Sequence, residues 1–228
     1  MHNENRIKKI LTLIRKSYGK GPKPFKPSRP VDELIRTILS QNTSDSNSLA
    51  AFAVLKRNFK TWEELLNTDT ARLTRLIKHA GLANIKARRI KEVLSEIKRR
   101  EGRLSLKPLK NMSTREAVSY LISLKGVGPK TAACVLLFSF GKPVMPVDTH
   151  IYRVTRRLGL VPESLSIAEA HRLLSDMVPK DLIYDFHLGI IEHGRRTCKA
   201  QNPKCGVCLL YSLCKFKDKV FYKGRAEH

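Results

Sequence analysis

Leu124-Lys-Gly-Val-Gly-Pro-Lys-Thr-Ala132 joins two stretches whose apolar residues recur at helical spacing. Gly126 and Gly128 permit a tight turn, and without side chains their main-chain amides can approach an anion closely. Pro129 suits the first position of the following helix, whose N-terminal amides add to anion binding. Lys125, Gly126, Val127 and Gly128 are therefore a candidate phosphate-binding turn between two helices. Lys130 falls in the first turn of the second helix. A neutral amine there can attack a sugar carbon and form an imine, as catalytic lysines do; read locally, a phosphate contact alone would account for it. Cys134 sits at core-like spacing in Thr131-Ala-Ala-Cys-Val-Leu-Leu-Phe138 and reads as packing.

Outward from this turn the chain reads as helices joined by short loops. Thr61-Trp-Glu-Glu64, Ser113-Thr-Arg-Glu116 and Ser166-Ile-Ala-Glu169 fit the capping-box pattern. Gly81 and Gly102 stand where helical patterns stop. The best strand candidate, Lys142-Pro-Val-Met-Pro-Val147, holds two prolines and reads as an extended connector. The fold class is all-α. Lys20-Gly-Pro-Lys-Pro-Phe-Lys-Pro-Ser-Arg-Pro30 reads as a linker, and a run of helices spans about residues 30–141. Ile7, Ile10, Leu11 and Ile14 share one face of a basic N-terminal helix, expected to dock on the rest of the chain. No stretch approaches membrane-spanning length or has the form of a secretory signal. A cytoplasmic protein without a membrane partner is expected.

Lys and Arg total 44 against 20 acidic residues, a formal net charge of +24. Such an excess points to a polyanionic partner, nucleic acid before anionic membrane. Four of the five cysteines, Cys198, Cys205, Cys208 and Cys214, cluster near the C-terminus. In a reducing compartment clustered thiols suggest metal rather than disulfides. Zinc ribbons usually present two close pairs about 15–20 residues apart. Here only one close pair exists, and the outer thiols reach unevenly, which suits a cubane cluster with one thiolate per iron. Spacing alone favours iron–sulfur and leaves zinc open.

Pro146-Val-Asp-Thr-His150 follows the connector and opens another helical pattern. Asp148 can be a simple N-cap. Held ionised at a helix start, it can also stabilise positive charge developing on a sugar as a base departs.

Together the hairpin, the Val-Asp-Thr-His segment and the Cys-x6-Cys-x2-Cys-x5-Cys loop resemble, in order and spacing, the endonuclease III family of helix-hairpin-helix DNA glycosylases, over roughly residues 5–220. The resemblance implies a six-helix barrel over 26–141 ending in the hairpin. It implies a second domain of 1–25 with 142–228, closed by a [4Fe–4S] loop on the four cysteines, and an active cleft between the two. It implies a monomeric enzyme acting on double-stranded DNA with damaged bases or abasic sites, on the nucleoid if the source is prokaryotic. Lys130 would be the nucleophile and Asp148 its partner in a bifunctional glycosylase and β-elimination lyase. A monofunctional mismatch glycosylase is the rival within the enzyme class, and Lys130 argues against it; a non-catalytic DNA-binding metalloprotein is the rival outside it. By the same resemblance Gln41 fills the gap left by a flipped nucleotide, Leu82 wedges into the opposite strand, His150 lies beside the pocket, and Lys199 and Lys204 touch phosphate. Lys125 stands where the family has proline. Asn42-Thr43-Ser44-Asp45 departs from the family's wording beside the base pocket, so oxidised pyrimidines are the expected substrates by resemblance only.

Overall fold

The structure, a computed structural model, describes residues 2–19 and 25–224. Residues 20–24 of the expected linker lie outside the described residues. Every regular element among those described is helical. In chain order these are α1 (His2–Tyr18), α2 (Pro30–Ser40), α3 (Asp45–Asn58), α4 (Trp62–Asn67), α5 (Thr70–Leu76) and α6 (Ala83–Glu101). There follow α7 (Thr114–Ile122), α8 (Pro129–Phe140), α9 (Thr149–Arg157), α10 (Ile167–Met177), α11 (Ile183–Arg196) and α12 (Lys219–Gly224). Short 3₁₀ turns, among them Lys78–Ala80 and Cys205–Val207, fill several connections. The all-α expectation holds, and residues 142–148 join α8 to α9 without forming a regular element or pairing as a strand.

Two compact units form. One is Lys26–Lys142; the other joins Met1–Phe25 to Pro143–His228.

In the first unit, α8 is the central helix. Thr131 to Leu137 are buried without interruption, so α8 is apolar nearly all round and packs against α2. Pro129 opens it and Gly141, in the left-handed region at φ 64°, closes it. Lys86 is buried in this core, 1% exposed. Its Nζ donates to Leu39 O (2.7 Å) and Ala80 O (2.6 Å), fastening the end of α2 to the turn before α6. Burial, and then Arg89 nearby, push its pKa down.

In the second unit, Ile7, Ile10, Leu11 and Ile14 of α1 are all buried. The helix packs on α11, where Gly189 admits Ile14: a Cβ there would lie 3.2 Å from Ile14 Cγ2. Each such side chain contributes roughly 1.5–3 kcal/mol before entropy is charged against it. No helix among the described residues is long and apolar enough to cross a membrane.

The capping boxes at Ser113 and Ser166 form in full. At Thr61 only half does. Glu64 N donates to Thr61 Oγ1 at 3.2 Å, but Glu64 Oε2 takes the amide of Lys60 (2.8 Å) instead of that of Thr61. Two amides are still satisfied, so the helix start loses little.

Candidate functional site

The hairpin sits in the Lys26–Lys142 unit between α7 and α8. Val127 N donates to Leu124 O at 3.0 Å and its side chain is buried, so Val127 shapes the turn from within. Gly126 takes φ 84°, and a Cβ there would lie 2.4–2.8 Å from the Arg89 side chain. Only glycine meets both demands. Gly128 is the N-cap of α8 and Pro129 its first residue. Lys125 is largely exposed, with Nζ 3.5 Å from Glu92 Oε2. Lys130 is the second residue of α8 and half-buried.

Two loops of the same unit carry the other candidates. Gln41 caps the C-terminus of α2, and its Nε2 donates to Thr131 Oγ1 at 3.3 Å, beside Lys130 in sequence. Its Oε1 accepts from Arg89 Nη1. Leu82 is 51% exposed rather than a core leucine, and Ile85, one turn on, is 49% exposed. Leu82 holds φ 49°, a left-handed conformation rare for a branched residue. Asn42 does likewise at φ 51°. Paired strain and apolar exposure of this kind tend to cluster at working surfaces.

In the other unit Asp148 is the N-cap of α9, and its Oδ1 accepts from Ile151 N at 2.8 Å. The chain leading to it has no strand partner, so side chains satisfy its backbone. Met145 N donates to Ser175 Oγ (3.0 Å), while Met145 O and Pro146 O each lie 3.0 Å from the Nδ1 of His171 and His187. A carbonyl only accepts, so His187 donates from Nδ1 in its bond; His171 Nδ1 also lies 3.3 Å from the Val147 amide, which can only donate, so its two contacts make opposite demands on that nitrogen. His150, half-buried on α9, lies 3.1 Å from Arg153 Nη2. Arg153 in turn donates to Cys198 O (3.0 Å) and Gly194 O (2.9 Å), tying α9 to the cysteine loop.

Cys198, Cys205, Cys208 and Cys214 line one pocket, walled also by Val154, Leu158, Pro203, Leu210 and Phe216. The four thiols share the lining of this one pocket, the donor set that a four-thiolate iron–sulfur cluster uses. Burial, reinforced by the neighbouring thiols and opposed by the Leu210 amide, pushes Cys208 up to about 11; burial also raises Cys205 and Cys214. Bare, these are neutral thiols at pH 7, and metal loading must displace their protons. Arg157 is placed to offset the resulting charge: Nη1 donates to Cys198 Sγ at 3.3 Å while the guanidinium lies 4.1 Å from the Phe216 ring centre. His193 Nε2 is 3.8 Å from Cys208 Sγ, and Tyr18 OH is 2.8 Å from its other ring nitrogen. Burial, then Arg153, hold His193 down to about 4. Lys199 and Lys204 are exposed on the loop; Lys199 O accepts from Arg157 and Lys204 N donates to Thr197 O.

The HhH-GPD superfamily of base excision DNA repair proteins matches residues 35–180, and the iron–sulfur binding domain of endonuclease III matches residues 198–214. Endonuclease III of Thermotoga maritima is 35% identical over 218 residues, 96% of each chain. The chain belongs to the endonuclease III family. An Arabidopsis thaliana relative of this endonuclease III homologue is 38% identical over 176 residues, 76% of this chain, which spans 60% of that relative's length. A solved non-covalent endonuclease III–DNA complex superposes with a TM-score of 0.80 at 27% identity, covering 98% of both chains. A trapped endonuclease III–DNA covalent intermediate superposes at 0.79 with 28% identity, covering 95% of this chain and 98% of that one.

As an endonuclease III homologue the protein is a base-excision DNA glycosylase with abasic-site lyase activity, DNA is its partner, and it carries a [4Fe–4S] cluster. The four cysteines around their cavity fit that group. When bound, it links the four thiolates into one covalent knot. Arg89, Arg153, Arg157 and His193 escaped the sequence reading. His150, Arg153 and Arg157 do share one helical face by spacing, which could have flagged two of them.

Proposed function

We propose that Lys130 is the nucleophile and Asp148 the residue that stabilises positive charge on the sugar. Damaged bases, oxidised pyrimidines first, are the substrates, and the protein acts as a monomer. The observation that carries this is the position of Lys130: the amine follows directly on a glycine turn at a helix start, where backbone amides can hold the phosphate of the attacked nucleotide. The covalent intermediate trapped for a protein of this fold supports an amine that bonds to DNA. Neutral Lys130 attacks the anomeric carbon, the bond to the base breaks, and the base leaves with a proton. The nitrogen lone pair then forms the C=N bond as the C1′–O4′ ring bond breaks and O4′ takes up a proton, leaving a protonated imine. β-Elimination follows: the C2′ proton is removed, C2′=C3′ forms and the 3′ C–O bond breaks with the phosphate as leaving group, after which water hydrolyses the imine to free the lysine. Asp148, ionised at its cap, lowers the energy of the cationic sugar.

Borohydride trapping on duplexes with a single abasic site tests this. Wild type should give a stable adduct; Lys130→Ala should give none and nick strands at least about 10³-fold more slowly, in the range seen when a covalent nucleophile is removed. Undiminished trapping by that variant would refute the assignment. A panel of duplexes with one defined lesion each would test the preference for oxidised pyrimidines.

A further inference from the structure

We propose that Arg89 is a positioning residue that fixes the Gln41 carboxamide in one orientation for insertion into DNA. The inference rests on the reading of Gln41 as the side chain that fills the gap behind an extruded nucleotide.

Gln41 is not free to swivel. A guanidinium only donates, so the amide oxygen must face Arg89, and Nε2 is left to meet Thr131 Oγ1 at 3.3 Å. The two bonds define the amide plane and decide which end presents donor and which acceptor. Arg89 is itself held. Its stem lies across Gly126, where a Cβ would come within 2.4–2.8 Å of Nε, Cδ and Cγ. Thr131 is 3% exposed on α8, so the second anchor is rigid too. One residue face of α6 thus serves both loops: Lys86 binds the carbonyls of Leu39 and Ala80, and Arg89 binds the Gln41 side chain.

A free glutamine has three rotatable side-chain bonds, and ordering it on entry into DNA would subtract from affinity. Held in advance, it enters with that loss already incurred. One lone pair of Oε1 and one hydrogen of Nε2 remain for the base left without its partner. Arg89 is half-buried and cationic, so a plain phosphate contact is the alternative role. The two roles make different demands. A phosphate contact strengthens binding to every duplex alike, whereas orientation of Gln41 matters only where a gap exists.

The experiment measures binding of the cluster-loaded protein to two duplexes, one intact and one with a tetrahydrofuran abasic-site analogue. Wild type, Gln41→Ala, Arg89→Ala and the double variant are compared, with circular dichroism and visible cluster absorbance to establish folding. The readout is the ratio of the two affinities. Arg89→Ala should lower that ratio roughly tenfold, the worth of one oriented charge-assisted contact. In the Gln41→Ala background the same change should leave the ratio where Gln41→Ala put it. Equal weakening on both duplexes by Arg89→Ala, with Gln41→Ala still lowering the ratio, overturns the role of Arg89 alone. So do additive effects of the two changes on the ratio. An unchanged ratio for Gln41→Ala overturns the reading of Gln41 itself, and with it the inference.

Discussion

In the proposed mechanism Asp148 does two jobs with one carboxylate, and the jobs can be separated by substitution. Oδ1 caps α9 through Ile151 N, and the proposal gives the negative charge the task of stabilising the sugar cation. Asp148→Asn keeps an acceptor at the cap and removes the charge. Its thermal stability should therefore stay within about 0.5 kcal/mol of wild type, since Asn and Asp cap about equally well. Base release in single-turnover assays should still fall by roughly 10² or more, as when a group stabilising transition-state charge is lost. Asp148→Ala should lose the same activity and about 1 kcal/mol of stability besides. Equal melting temperatures for the two variants would mean that the cap bond contributes nothing. At this scale much was legible beforehand, because glycine, proline and capping residues act on their own neighbours: Lys130 at a helix start and Asp148 at a cap follow from a few adjacent letters. The bond from Arg89 to Gln41 was not legible. It crosses 48 residues and follows from how α6 lies against the hairpin, which no local pattern encodes.

Helices here are held at their ends as much as along their faces. Ser113 and Ser166 form complete capping boxes, and Thr61 forms half of one. The spacing of hydroxyl and carboxylate was enough to locate all three starts, but not to say that Glu64 would reach one amide too far. Lys86 is the stronger case. The sequence gives no hint of a buried lysine in a helix otherwise studded with solvated charge. Its Nζ satisfies Leu39 O and Ala80 O, the carbonyls that precede Gln41 and Leu82 by two residues each. Lys86→Met keeps the stem and strips the donor, leaving two buried acceptors unpaired at about 1–3 kcal/mol apiece. The midpoint of denaturant unfolding should drop accordingly, and hydrogen exchange should quicken at the start of α6. A variant as stable as wild type would show that water replaces the ammonium without loss.

Taken whole, the molecule combines an excess of 24 positive charges with a cluster loop that must bring four thiolates together. The charge was read directly from composition and pointed at a polyanion, nucleic acid before anionic membrane. The cysteine spacing alone left zinc open, because spacing says which thiols are near and not how wide a gap they surround. Cys208→Ser should abolish the visible absorbance of the cluster and lower the melting temperature, with the loss concentrated in α9, α11 and the loop they hold. Retention of full absorbance would mean that three thiolates suffice. The partition of the chain carries one more consequence. α1 buries Ile7, Ile10, Leu11 and Ile14 in a unit whose remaining residues begin only at Pro143. On the ribosome, this first helix emerges long before the α11 surface it will cover. Its greasy stripe must wait, uncovered, while the whole of Lys26–Lys142 is synthesised. The intervening unit has all its own parts by then and can mature first, so α1, made before that unit, finds its place after it.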